Sequence, residues 1–155
     1  MKFIILGFML LGLVACTTAD PLMPTNSITV AIQKQHPKEV KSLKKGVRIY
    51  FQPKSTMIDE EYQPALSVAA QLLQANKNFA LQIEGHTDSS GSLASNNKVS
   101  LNRANLVKDY LINEYKVNPE QLMILGSGPT KPIADNKTAD GKAKNRRVEV
   151  ILKIK

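Results

Sequence analysis

Tryptophan is absent from this 155-residue chain, aromatic residues make up only 5%, and there is one cysteine and two histidines. Each scarcity excludes something. Few aromatics leave little to stack nucleobases on, so single-stranded nucleic acid is a poor partner. One cysteine, Cys16, rules out an internal disulfide. The histidines are His36 and His86, and with no cysteine beyond position 16 they cannot supply the three or four side chains of a zinc site. Anionic charge is also thin: 13 acidic residues stand against 21 basic ones, for a net charge of +8. Such a balance favours anionic or carboxylate-bearing partners without choosing among them. A 43% hydrophobic fraction, mostly Leu, Ile, Val and Ala, can build one core.

The N-terminus holds the longest apolar run. Lys2 precedes an uncharged stretch from Phe3 to Val14, too short to span a bilayer and typical of the hydrophobic region of a signal peptide. Leu13-Val14-Ala15-Cys16 closes it and resembles a bacterial lipobox. That resemblance implies a signal peptide over 1–15, cleavage before Cys16 and acylation of its thiol, palmitate included. Each buried methylene of an acyl chain contributes about 0.8 kcal/mol to membrane anchoring. The alternative is an ordinary secretory signal with an incidental cysteine. Thr17, in place of the aspartate that commonly retains lipoproteins at the inner membrane, points to the outer membrane.

Residues 17–27 are small, polar and interrupted by proline, the composition of a linker. Over 28–45 the reading divides. Ile28, Val30 and Ile32 alternate like a strand, and Lys34, Lys38, Lys41, Lys44 and Lys45 then form a basic stretch. A solvated tether over 16–45 is one reading; attraction to anionic lipid or wall polymer is the other. A stretched tether over 17–45 would reach ~95 Å, a coiled one ~30 Å.

A compact domain is expected over 46–155. Val47, Ile49 and Phe51 alternate with Arg48 and Tyr50, predicting a first strand. Gln52-Pro53-Lys54-Ser55 breaks it, and a helix is predicted from Glu60 to Ala75 with Asp59 as N-cap. Phe79 to Glu84 predicts a strand with one polar side. A second long helix runs from Ser95 or Asn96 to about Tyr115, a short strand covers Leu122 to Leu125, a loop fills 129–144, and a final strand starts at Arg147. Strands alternating with helices imply an α/β (α+β sandwich) fold: a mixed, partly parallel sheet with helices packed against it.

The chemistry concentrates in Gly85-His86-Thr87-Asp88-Ser89-Ser90-Gly91 and the helix after it. Asp88 lies in a turn at a strand end. Asn96 and Arg103, seven residues apart, share one helix face with Ser100 between them. The N-terminus of that helix favours a carboxylate. Arg103 can bind that carboxylate in a bidentate pair while Asp88 pairs with an adjacent ammonium. Taken singly, Asp88 reads as a turn cap and Arg103 as a surface ion pair.

These motifs, with Ala104, Pro132 to Thr138 and Asn145-Arg146-Arg147-Val148-Glu149, resemble the OmpA-like domain (OmpA C-terminal or peptidoglycan-associated lipoprotein type) over roughly residues 46–153. The resemblance implies a β-α-β-α-β-β fold and an envelope protein that binds peptidoglycan non-covalently, without catalysis or cofactor. Asp88 would meet the ammonium and Arg103 the carboxylate of diaminopimelate in the stem peptide. Asn96 and Thr87 would add hydrogen bonds, Arg147 would line the same rim, and His86 would hold the loop. It implies an outer-membrane lipoprotein facing the periplasm and tethering membrane to wall. The alternative is the wall anchor of a larger envelope complex, a secretion or motility machine. An exported chain is away from nucleic acid, and a hydrolase would need a second well-placed carboxylate or nucleophile that does not stand out.

Overall fold

A computed structural model describes residues 26–51 and 58–155. The expected signal peptide, Cys16 and the linker up to residue 25 lie outside the described residues, as does the break at Gln52 to Ser55. The first described elements are two helices, α1 (Ser27–Gln35) and α2 (Pro37–Lys45). Asn26 caps α1, its Oδ1 accepting from Thr29 N at 2.7 Å. Pro37 opens α2, where a missing N–H costs nothing.

This corrects the reading of 28–45 as a strand-like or coiled tether. Thr29 and Ile32 of α1, and Val40 and Leu43 of α2, are spaced by three and turn inward together. Leu43 is fully buried. Ile28 and Val30, which made the period look like two, are exposed instead. The packed unit therefore includes α1 and α2 and extends well before Gly46.

Beyond Gly46 the order follows the β/α alternation of the sequence: β1 (Val47–Tyr50), a 3-10 turn (Glu60–Tyr62), α3 (Gln63–Ala75), β2 (Phe79–Gly85), α4 (Leu93–Tyr115), a second 3-10 turn (Pro119–Gln121), β3 (Leu122–Gly126), α5 (Ala139–Asn145) and β4 (Arg147–Ile154). Helix α4 starts a little earlier than expected because Ser92 caps it, its Oγ accepting from Ser95 N at 3.2 Å. The long loop contains α5, capped by Thr138.

The sheet order is β1-β4-β2-β3, with β2 and β3 parallel and the other pairs antiparallel. One face carries Ile49, Leu81, Ile83, Val148 and Val150, all buried and joined in one core with Leu66, Leu72, Leu73, Val107 and Leu111 of the helices. The other face is polar: Arg48 and Glu84 both lie opposite Glu149, and Tyr50 lies opposite Arg147. Strand β2 delivers its C-terminal end, Gly85, to the rim where the sequence motif begins.

Gly85 is required there by space. A Cβ on it would sit 1.9 Å from the Ser100 carbonyl oxygen, so only glycine lets α4 lie against the end of β2. This contact brings Asn96, Ser100 and Arg103 beside the loop that carries Asp88.

Candidate functional site

The loop after β2 is pinned from several sides. His86 N donates to Arg147 O (2.8 Å), Thr87 N to Gly128 O (2.9 Å), and Ser89 N to the Asn136 side chain (3.2 Å). Gly91 turns the chain with a positive φ of 89°. Asn96 closes the turn from the helix, its Nδ2 donating to Ser90 O at 3.0 Å. Ser100 acts one layer deeper, its Oγ accepting from Gly128 N at 2.9 Å.

Asp88 accepts at both oxygens. Its Oδ1 takes the Ser90 N–H at 2.8 Å, the Asx-turn expected of such a residue, and its Oδ2 takes Arg146 Nη1 at 2.9 Å. Burial works against the charged carboxylate, but the hydrogen bonds from Arg146 and Ser90 outweigh it and hold the Asp88 pKa below the ordinary value.

Arg103 is 9% exposed. Its guanidinium lies 5.6 Å above the Phe51 ring and gives one long hydrogen bond, 3.4 Å, to His86 O. Among the described residues no carboxylate forms an ion pair with it. Burial, then the nearby Arg146 charge, lower its pKa against the weaker opposing pull of Asp88. Two guanidiniums and one carboxylate thus share the rim, leaving an uncompensated positive charge in a partly desolvated place.

Other polar atoms here lack partners. Thr87 Oγ1, Arg146 Nε and both ring nitrogens of His86 are buried with no hydrogen bond among the described residues. Phe51 and Arg146 also line a cavity of about 390 Å³ with Tyr50, Asp140, Ala143 and Lys144. It adjoins the rim without including Asp88 or Arg103 in its walls. Among the described residues no group of three or more His, Cys, Asp or Glu side chains is placed to hold a metal ion.

Asp88, Thr87, Asn96 and Arg103 lie together at the rim, whereas the Arg147 side chain turns away from it. Arg147 is 2% exposed, and its nitrogens are taken by Glu149 (2.8 Å), the Asn145 carbonyl (3.5 Å) and the Lys131 carbonyl (3.2 Å). The arginine at the rim is its neighbour, Arg146. Strand parity separates them: Arg147 opens β4 on the polar face under the 129–138 loop, and Arg146 precedes the strand as the C-cap of α5. The Asn145-Arg146-Arg147 run is visible in sequence, but the side each arginine takes depends on where β4 starts. Beneath the rim, Glu84 is held by Lys131 (2.6 Å) and Ser127. Burial alone would raise its pKa, but these two hydrogen bonds lower it overall.

The family model described as "OmpA family" matches residues 50–146. The outer membrane protein Omp38 of Acinetobacter baumannii is 38% identical over 125 residues, which is 81% of this chain and 35% of Omp38. The peptidoglycan-associated lipoprotein of Buchnera aphidicola is 35% identical over 112 residues, covering 72% of this chain and 64% of that protein. The chain thus spans about a third of the length of Omp38. Among solved structures, the peptidoglycan-associated lipoprotein of Burkholderia pseudomallei superposes with a TM-score of 0.68 at 24% identity, covering 79% of this chain and 99% of that one. The last likeness bears on the fold alone.

Proposed function

This chain belongs to the OmpA family, and on that premise we propose that it is a non-catalytic anchor that grips peptidoglycan by the zwitterionic end of diaminopimelate. The observation that carries this reading is the buried Arg103 guanidinium with no carboxylate partner among the described residues, one loop away from a carboxylate whose pKa is held down. A ligand carboxylate neutralises Arg103 and accepts two parallel N–H bonds from its planar fork. The ligand ammonium donates to Asp88. A carboxylate has about four acceptor positions; Arg146 and Ser90 use two, so the ammonium can join without displacing either. Thr87 Oγ1 and Arg146 Nε, both without a partner among the described residues, provide further hydrogen bonds, and Asn96 keeps the turn in shape. A simple anion would satisfy Arg103 but leave Asp88 unused. The arrangement therefore favours an amino-acid head group.

The same reading makes the protein an outer-membrane lipoprotein, acylated at Cys16, with its domain in the periplasm. It holds the membrane to the wall without a cofactor. Co-sedimentation with isolated sacculi tests the grip. Asp88→Ala and Arg103→Ala should each stay folded and lose sedimentation, because removing one member of a desolvated charge pair costs about 2–5 kcal/mol. Such a loss turns micromolar binding into none that is measurable. Full sedimentation of both variants would refute the site. Mass spectrometry of the mature N-terminus tests the anchor: an acylated Cys16 is expected, and an unmodified thiol would remove it.

A further inference from the structure

From the first two helices we infer that the domain has a second working surface, a basic base that lies on an anionic phospholipid bilayer; this rests on the proposed acyl anchor at Cys16. Helices α1 and α2 carry five lysines against one glutamate. In α2, Val40 and Leu43 fix the inward face. Lys38, Lys41 and Lys45, spaced by three and four, occupy the opposite one, and all three are exposed. Among the described residues none of the three has an ion-pair partner. Glu39 and Glu61 line a groove with Lys38 and Arg48. In α1, Val30 and Lys34, four apart, are also exposed, and Ile28 is 60% exposed. Lysines that flank exposed aliphatic side chains suit the headgroup layer of a membrane.

Chain length limits how far this surface can lie from an acylated Cys16. Asn26 Nδ2 donates to Ala75 O at 2.8 Å, and Ala75 is the last residue of α3, just before β2. Strand β2 then runs from Phe79 to Gly85, so Asn26 and the Asp88 rim lie at opposite ends of the sheet, ~20 Å apart. Between Cys16 and Asn26 the chain reaches ~35 Å at most and ~17 Å as a coil. An acylated Cys16 therefore keeps the α1 end within reach of the bilayer, and the lysine face at that end, rather than the length of the chain, turns it toward the headgroups. A basic face within a Debye length of anionic headgroups is drawn to them, by about five-fold per lysine.

The test uses the mature acylated protein in vesicles of phosphatidylglycerol with phosphatidylethanolamine, compared with phosphatidylcholine alone. Lysine acetylation is followed site by site by mass spectrometry. Lys38, Lys41 and Lys45 should react about five-fold more slowly on the anionic vesicles, and the protection should vanish in 1 M salt. Lys98 and Lys137, beside the opposite rim, should react equally on both. A triple Lys38→Gln, Lys41→Gln, Lys45→Gln variant should still float with the vesicles and still sediment with sacculi. In that variant Lys34 and Lys44 should react equally on the two vesicle types. Equal labelling of a floating wild-type protein on both vesicle types would overturn the docking alone. Protection by added sacculi rather than by vesicles would assign the face to the wall and overturn it too. A chain that fails to float would bring down the acyl anchor, and this inference with it.

Discussion

Arg103 and His86 are both buried bases beside the rim, and burial acts on them through the same physics with different outcomes. An arginine stays protonated and therefore waits for an anion. A histidine gives up its proton, and the His86 pKa is lowered by burial first and by the Arg147 charge second. The sign of its effect on stability follows. A group whose folded pKa lies below its unfolded value of about 6.5 leaves the unfolded chain binding more protons in between, so stability rises with pH there. Its contribution is present above pH 6.5 and is lost as pH falls through the depressed folded value. Urea unfolding followed from pH 7.5 down to 5 should show the midpoint falling, and His86→Gln should flatten that fall. An unchanged slope in the variant would mean that His86 is not the group responsible. Asp88 works in the same direction at lower pH, because its folded pKa is also depressed. Sacculus binding should therefore persist below the usual carboxylate range near 3.9 and fail only when Asp88 takes up its proton.

The β2–α4 unit and the 129–145 segment hold these side chains, and they differ in how far the sequence discloses them. Asn96, Ser100 and Arg103 share a helix face whatever the tertiary structure, so their grouping is legible from spacing alone, while the contact of α4 with Gly85 is what sets that face beside the Asp88 turn. Asn145 is not legible in that way. Fully buried, its side chain accepts from Ile133 N (2.8 Å) and Ala134 N (3.1 Å) and donates to Ala134 O (2.9 Å) and Asn136 Oδ1 (2.9 Å). Asn136 in turn receives Ser89 N, next to Asp88. An asparagine at the end of a short helix looks like any cap until the loop folds over it, and the swap of Arg147 for Arg146 at the rim has the same origin. Asn145→Ala removes four hydrogen bonds at once and should destabilise the domain by about 3 kcal/mol. Native-state hydrogen exchange should also show the Ser89 amide opening more readily than the β2 amides. Loss of stability without faster exchange at Ser89 would separate the clamp from the site. Gly85→Ala tests the other contact. The added methyl meets the Ser100 backbone at 1.9 Å, so α4 must move, at about 1–3 kcal/mol or more, and sacculus binding should weaken along with the melting temperature.

Polarity of the fold joins these parts, since one end of the sheet carries the Asp88 rim and the other receives the chain from its N-terminus. The helices that take up 27–45 make this polarity firm. A tether of 29 residues would let the domain turn freely, whereas residues 27–45 are helices packed on the core and belong to a body whose orientation matters. The sequence disguised them because α1 is short and its exposed Ile28 and Val30 flank the buried Thr29, mimicking a period of two. Only the packing of Leu43 and Val40 on α3 and β4 resolves the ambiguity, and that packing is a tertiary fact. Trypsin offers a direct reading of it. Lys34, Lys38, Lys41, Lys44 and Lys45 are five cleavage sites, none followed by proline. In a solvated tether they would be cut at once; in packed helices they need local unfolding, because a protease requires several residues extended in its cleft. Native digestion should therefore cut these sites at a rate set by an opening equilibrium. Leu43→Ala, which empties a fully buried position and costs about 2–5 kcal/mol, should accelerate cleavage by orders of magnitude. Immediate cleavage at Lys38 and Lys41 in the wild type, with the 58–155 portion intact, would return this segment to the status of a leash and dissolve the distinction between the two ends of the molecule.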